Sequence, residues 1–355
     1  MMTIKEGIGK LVEKRNLEPD EAEAIMKEIM SGAATPSQIS AFLTALRMKG
    51  ETIDEITAFA KVMRQFAEHI QPKVNGRLLD IVGTGGDRIK TVNVSTTAAL
   101  VAAGAGIAVA KHGNRSFTSR CGAADILERL GLNLSSEPPV VERSIETVGI
   151  GFLFAPRFHQ AMKHVGPTRK EIGIRTVFNI LGPLTNPANA DAQLIGVYDP
   201  SLVKPLAEVT AKLGLKEALI VHGLDGLDEI STIGATSAAW MKNGIVKTMQ
   251  LKPGDFGVET AKPEELAGNS VEENAECIYK ILTWHSSTNS RCRDMVLANA
   301  AAGIVVGGKA DSLQDGMSIA EESIRSGAAY SKLKSMVKIY GGDLSKLEEL
   351  ETKFA

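Results

Sequence analysis

The chain has 355 residues, with 40 Lys plus Arg against 42 Asp plus Glu, a formal net charge of −2. Hydrophobic residues make up 44% and charged residues 23%, enough apolar material for a real core, so wholesale disorder is excluded and the length suggests two domains, or one with a large insertion. The balanced charge argues against a general nucleic-acid binder, which carries a basic excess, and leaves room for a small anionic ligand held by local positive charge.

Residues 1–70 read as about four helices. Leu11, Ile25, Ile29, Ile39, Phe42, Leu43, Leu46, Ile56, Phe59, Val62, Met63 and Phe66 recur at three- and four-residue spacings. Start signals separate them: Glu18-Pro19-Asp20, Thr35-Pro36-Ser37, and Thr52 with Glu55 three residues on. Such a module suits packing or dimerisation. Residues 1–16 include Glu6 and Glu13 and no uninterrupted apolar run, unlike a secretory signal.

Beyond Gly76 the pattern changes. Residues 78–82 read as a buried strand, 95–104 as a helix capped by Ser95 or Thr96, and 106–110 as the next strand. Helices over 123–130 and 138–148, strands over 151–154 and 193–198, a helix over 201–213 and a strand over 217–222 continue the alternation. Strands alternating with helices predict an α/β domain with a mostly parallel central sheet and a ligand at the strands' carboxyl ends. The helical stretch 157–185, with Pro167 and Pro183, reads as a return to the helical module. The expected division is therefore a discontinuous small all-helical domain, 1–72 plus about 160–185, and a larger α/β domain, 73–159 plus about 186–355. After residue 230 the signal weakens until helices near 272–283, 292–306, 316–326 and 329–339.

The longest apolar stretches, 98–110 and 298–308, are too short to span a membrane. Cys121, Cys277 and Cys292 form no CxxC pattern, as expected of a reducing cytoplasm and no metal–thiolate site. Aromatic residues, at 5%, are too few for a base-stacking platform.

Several segments carry chemistry. Gly83-Thr84-Gly85-Gly86-Asp87 follows the first strand, and its glycines let backbone N–H groups approach a phosphate. It is neither a Walker loop nor a dinucleotide fingerprint, and a bare tight turn is the alternative. Asn93-Val94-Ser95-Thr96-Thr97 places hydroxyls at a helix start, where they cap the helix or meet an anion. Lys111-His112-Gly113-Asn114-Arg115-Ser116 ends the next strand and runs on through Phe117, Thr118, Ser119 and Arg120 to Gly122 and Ala123. This is either a basic solvated loop or, from its place at a strand's carboxyl end, part of the same site. Asp228-Glu229 is an acidic turn or a seat for a hard cation such as Mg2+. Arg169 and Arg175 can each grip a carboxylate or phosphate with paired hydrogen bonds. His112 is a candidate general base. No HExxH, EF-hand loop or Gly-x-Ser-x-Gly occurs.

Together these runs resemble the anthranilate phosphoribosyltransferase family of tryptophan biosynthesis. The matching motifs are GTGGD (83–87), TVNVST (91–96), KHGNRS (111–116), GIRTVFN (173–179), GPLTNP (182–187) and GLDE (226–229), in the family's order over most of the chain. GTGGD alone is shared with pyrimidine nucleoside phosphorylases of the same fold. The resemblance implies a Mg2+-dependent, cytoplasmic homodimer joined through the helical domain, binding neither nucleic acid nor membrane, that transfers phosphoribosyl from phosphoribosyl pyrophosphate to anthranilate. It implies that Gly83, Gly86, Asp87, Thr91, Asn93, Val94, Ser95, Thr96, Lys111, His112, Gly113, Asn114, Arg115, Ser116, Phe117, Thr118, Ser119 and Ala123 hold phosphoribosyl pyrophosphate. Gly83, Asn114 and Arg169 would hold anthranilate, with Arg169 on its carboxylate, and Ser95, Asp228 and Glu229 would bind Mg2+. No covalent nucleophile is implied; Asn114, Arg169 and His112 would act by position. Three departures stand out: Arg88 where the family usually has glycine, Val92 where it has phenylalanine, and Ala123 where serine is frequent.

Overall fold

The structure, a computed structural model, describes residues 2–86, 91–115, 121–268 and 270–355. Four helices open the chain: α1 (Ile4–Val12), α2 (Pro19–Met30), α3 (Pro36–Lys49) and α4 (Ile53–Gln65). Their boundaries follow from local chemistry. Thr3 with Glu6, Thr35 with Gln38 and Thr52 with Glu55 form reciprocal capping boxes, and Pro19 and Pro36 open their helices. Glu55 does more than cap: fully buried, it accepts from Leu17 N, Thr52 N and Lys49 Nζ, each at 2.8 Å. That satisfies a carboxylate whose burial alone would be costly. Phe42 and Phe59 meet edge to face at 6.0 Å in the centre of the bundle.

Seven strands follow: β1 (Leu78–Gly83), β2 (Ala108–Gly113), β3 (Ile150–Phe154), β4 (Ala192–Gly196), β5 (Glu217–Gly223), β6 (Thr236–Lys242) and β7 (Ile245–Leu251). They form one sheet in the order β3-β2-β1-β4-β5-β6-β7. The first five run parallel, and β6 and β7 add an antiparallel edge. The remaining α-helices among the described residues are α5 (Val94–Gly104), α6 (Ala123–Arg129), α7 (Pro138–Thr147), α8 (Ala155–Phe158), α9 (Gly166–Ile172), α10 (Phe178–Leu184), α11 (Val203–Lys212), α12 (Val271–Leu282), α13 (Ser290–Val306), α14 (Leu313–Arg325), α15 (Ala328–Ile339) and α16 (Ser345–Lys353).

Side chains alternate between two apolar clusters, as the period of a strand requires. Leu79, Ile81, Leu194 and Leu219 join the cluster formed with α5, α13 and α15. Val82, Ile195, Ile220 and Met241 join the other cluster, which also contains α11, α1–α4, and Val165, Val177, Phe178, Ile180, Leu181 and Leu184. The helical bundle is therefore continuous in its core with one face of the sheet. β1 lies between β2 and β4, so the chain order reverses there and opens a crevice at the carboxyl ends.

Several expectations need correction. α5 starts at Val94 with Asn93, not Ser95 or Thr96, in the capping position. β2 runs from Ala108 to Gly113 rather than over 106–110, because Gly106 takes a left-handed φ of +89° that terminates the preceding helix. Lys111, His112 and Gly113 are thus the last residues of a strand. The β6–β7 hairpin and α16 are elements that the sequence pattern after residue 230 does not place.

The chain end of β4 fits tightly. A Cβ on Gly196 would lie 1.6 Å from the Asp228 carbonyl oxygen. Gly196→Ala should therefore force the 228 loop away and lower the unfolding free energy by about 1–3 kcal/mol, the usual cost of overpacking, measured by urea denaturation. A wild-type value would contradict this contact.

Candidate functional site

A cleft of about 700 Å3 opens at the carboxyl ends of β1, β2 and β5, walled on the far side by α4, α9 and α10. Its floor is the loop after β1, whose residues 83–86 are held by Asp228, Gly196, Tyr198 and Arg175. Gly83 faces Asp228 so closely that a Cβ would meet Oδ2 at 2.6 Å. Thr84 N donates to Gly196 O at 2.9 Å, and Thr84 Oγ1 accepts from Tyr198 N at 3.0 Å. Gly85 N donates to Asp228 Oδ2 at 2.7 Å. Gly86 O accepts from Arg175 Nη2 at 2.8 Å. Gly85 and Gly86 both have positive φ, which explains the glycines.

The Asp228-Glu229 turn is anchored from behind. Ile230 N donates to Asn299 Oδ1 and Asn299 Nδ2 to Ile230 O, both at 3.0 Å, so α13 fixes its position. Burial raises the Asp228 carboxyl above its ordinary range, opposed by the Gly85 N–H and by Lys111. Across the cleft, the first turn of α5 presents Asn93, Val94 and Ser95, and Lys111 Nζ reaches Ser95 Oγ at 3.4 Å. Burial lowers the Lys111 ammonium, opposed by Asp80, Glu229 and Asp228. Asp80 is fully buried beneath the strand ends. It accepts from His112 N at 3.2 Å and Asn186 Nδ2 at 2.8 Å, and burial pushes its carboxyl up to about 6.

The far side of the cleft is aromatic and basic. Arg169 lines it with its guanidinium 5.3 Å from the centre of the Phe178 ring, and burial lowers its pKa. His112 and His159 lie 5.1 Å apart, and burial holds both rings neutral, His159 down to about 4. Asn114 lines the mouth of the cleft and uses its Oδ1 to accept from Arg115 N at 2.7 Å.

Gly83, Gly86, Thr91, Asn93, Val94, Ser95, Lys111, His112, Gly113, Asn114, Arg115, Ala123, Arg169, Asp228 and Glu229 all line this one cleft. Two expected residues are placed differently. Thr96 is buried behind the helix start and does not line the cleft. Arg115 stands at the rim, but its guanidinium is turned to Asp125 and Glu128, at 2.8 and 2.7 Å, because those acids lie one turn apart on α6. Asp87, Arg88, Ser116, Phe117, Thr118, Ser119 and Arg120 fall outside the described residues. His159, Phe178 and Asn274 also line the cleft. Only Phe178 had a sequence signal, its place in the 173–179 motif. His159 and Asn274 arrive from segments with no chemical motif.

A Mg2+ ion demands oxygen ligands and keeps several waters. Ser95, Asp228 and Glu229 offer only oxygen, and among the described residues no cluster of three His, Cys, Asp or Glu side chains could cage an ion unaided. Such oxygen donors fit an ion that completes its shell with water and a substrate phosphate.

Residues 5–67 match the glycosyl transferase family helical bundle domain, and residues 75–330 match the glycosyl transferase family a/b domain. Anthranilate phosphoribosyltransferase from Acetivibrio thermocellus is 48% identical over 342 residues, covering 96% of this chain and 98% of that protein. The crystal structure of anthranilate phosphoribosyltransferase from Thermus thermophilus superposes with a TM-score of 0.88 at 42% identity, over 94% of this chain and 99% of that one. The enzyme from Saccharomyces cerevisiae in complex with PRPP and Mg gives 0.86 at 33% identity, over 95% and 98%.

The buried histidines set a pH dependence. Unfolded, His159 takes a proton near 6.5; folded, only near 4. Stability is thus present above 6.5 and lost as pH falls toward 4, because the unfolded chain binds the extra proton. The difference corresponds to about 3 kcal/mol. Between pH 7 and pH 4 the wild type should lose about that much more stability than His159→Gln, read by urea denaturation. Parallel losses in the two proteins would contradict it.

Proposed function

The chain belongs to the anthranilate phosphoribosyltransferases, and we infer from this that it transfers the phosphoribosyl group from phosphoribosyl pyrophosphate to the amine of anthranilate. The products are N-(5-phosphoribosyl)anthranilate and pyrophosphate, a step of tryptophan biosynthesis. The observation that best supports the reading is Asp228: its carboxylate is pinned to the amide of a phosphate-cradling loop, opposite Lys111.

Displacement at the ribose C1 builds positive charge on the sugar and negative charge on the departing pyrophosphate. The loop from Gly83 to Gly86, the start of α5 at Asn93–Ser95 and Lys111 bind that anion through N–H groups, a helix N-terminus and a cation. Ser95, Asp228 and Glu229 would hold Mg2+, which when bound neutralises charge on the pyrophosphate. Arg169 orients anthranilate through its carboxylate, beside Asn114 and the Gly83 backbone. Among the described residues the Arg169 guanidinium has no carboxylate partner of its own. The acceptor is an aromatic amine with a free lone pair at neutral pH, so alignment matters more than a strong base. His112 lines the cleft beside His159, and burial lowers its pKa, so it acts by position rather than as a cation. Residues 1–72 with about 160–185 form the acceptor-side unit, and 73–159 with about 186–355 the donor-side unit. The exposed faces of the helical unit join two copies into a homodimer, and the reaction runs in the cytoplasm. Among the described residues no helix is long and apolar enough to cross a membrane.

Loss of anthranilate fluorescence with phosphoribosyl pyrophosphate and Mg2+ tests the reaction; no loss at ample enzyme would refute it. Asp228→Asn combined with Glu229→Gln should lower turnover and raise the Mg2+ requirement, and an unchanged metal titration would remove the pair from the metal site. Arg169→Ala should weaken anthranilate binding by about 1.5–3 kcal/mol, the value of a hydrogen bond to a charged group. An unaltered KM for anthranilate would argue against that role.

A further inference from the structure

Arg169 and Arg175 lie six positions apart on the same wall of the cleft, and the structure gives them different surroundings. The Arg169 guanidinium meets the Phe178 ring at 5.3 Å. The Arg175 guanidinium is engaged on a face and an edge: it lies 4.0 Å from the centre of the Tyr198 ring, and its Nη2 donates to Gly86 O at 2.8 Å. The fit admits no side chain between them, since a Cβ on Gly86 would fall 2.4 Å from Nη2 and the φ there is +90°. Tyr198 is itself tied to the same loop, its N–H donating to Thr84 Oγ1 at 3.0 Å.

Arg175 precedes Thr176, Val177 and Phe178, all buried, and Val177 and Phe178 belong to the apolar cluster of the helical bundle. The guanidinium therefore crosses the cleft from the helical side and holds the carbonyl of the last described residue of the glycine loop. An arginine stacked on an aromatic ring keeps its planar fork oriented, so the donor is directed before any ligand arrives. Of the groups that hold this loop, it comes from the acceptor wall, whereas Asp228 and Gly196 belong to the sheet side.

We propose that Arg175, seated on Tyr198, is a positioning residue that sets the Gly83–Gly86 loop for phosphoribosyl pyrophosphate rather than a group that grips substrate. The proposal rests on the donor-binding role inferred above for that loop. A loop held in its binding pose in advance loses less freedom when the ligand binds, so removal of the clamp weakens the donor and not the acceptor.

Arg175→Ala should raise the KM for phosphoribosyl pyrophosphate by roughly tenfold or more while the KM for anthranilate stays within about twofold. Its thermal midpoint should stay within about 2 °C of wild type. Arg175→Lys, which keeps a donor but loses the stacked plane, should recover part of the loss. Tyr198→Leu should move the same constant in the same direction, less far. Hydrogen exchange in the ligand-free protein supplies a readout that needs no turnover: the peptide spanning Gly83–Gly86 should exchange faster in Arg175→Ala, because the Thr84 and Gly85 amides lose their fixed geometry. A rise confined to the KM for anthranilate, or unchanged exchange in that peptide, would overturn the proposal. An inactive wild type with accelerated exchange in the variant would sink the transferase reading and leave the clamp standing.

Discussion

The site depends on one close approach. The backbone of Asp228 lies over the carboxyl end of β4, and its side chain lies over the end of β1, so near that neither Gly83 nor Gly196 has room for a Cβ. These two residues are partners in the parallel register of β1 and β4. The constraint thus falls on both strands at the same level, where the order of strand addition reverses. It delivers a carboxylate to the phosphate loop without any side chain intervening. It also explains how an acidic turn far along the sequence can be part of a site that begins at residue 83. Asn299, buried in the middle of α13, completes the arrangement by clamping both the N–H and the C=O of Ile230.

A second consequence concerns charge. The formal balance of −2 says nothing of a ligand with several negative charges. Within the cleft, however, Lys111 is buried among Asp80, Asp228 and Glu229, and burial works against every one of these charges whose shift is resolved. Asp80 is satisfied by the His112 N–H and the Asn186 amide, which also donates to Ala110 O at 2.8 Å. That network joins β1, β2 and the 182–187 motif, so Asn186 is a structural support for the β2 end rather than a substrate ligand. On the cleft side, Asp228 accepts from Gly85 N and Lys111 Nζ reaches Ser95 Oγ.

Much of this was legible in the sequence, and the misses have physical reasons. The first four helices announce themselves through capping residues and apolar spacing, signals that act over one turn. The glycine loop, the hydroxyl-rich start of α5 and the acidic pair were readable because chemistry demands those residue types at strand ends. The β6–β7 hairpin was not read, although Asn243 and Gly244, with φ of +50° and +80°, form the turn between two seven-residue strands. Ala238 and Ala239 dilute the β pattern of β6, and β7 is mostly exposed, so its alternation is weak. Arg115 looked like a cleft cation, but Asp125 and Glu128 recapture it through a helix whose register the sequence suggested without showing which face would meet the arginine. Apart from the family resemblance, Arg169 and Arg175 are alike as letters; the Tyr198 ring and the Gly86 carbonyl, both met by Arg175, separate them.

The two walls of the cleft are mechanically linked. The bundle shares its apolar cluster with Val82, Ile195, Ile220 and Met241 on one face of the sheet, so the helical side rests on a packed surface. Close-packed contacts of this kind favour discrete rearrangements over continuous sliding. Arg175 adds a polar tie at the open edge, where the apolar contact ends. Any displacement of the segment carrying Arg169 and Arg175 acts on the Phe178 wall through the first and on the Gly83–Gly86 loop through the second. The pose of the Gly83–Gly86 loop and the position of Arg169 are then tied to one segment of chain. With the donor and acceptor roles proposed above, the same seven residues from Arg169 to Arg175 carry one contact toward each substrate, so a change in the pose of Gly86 acts on the segment that also carries Arg169.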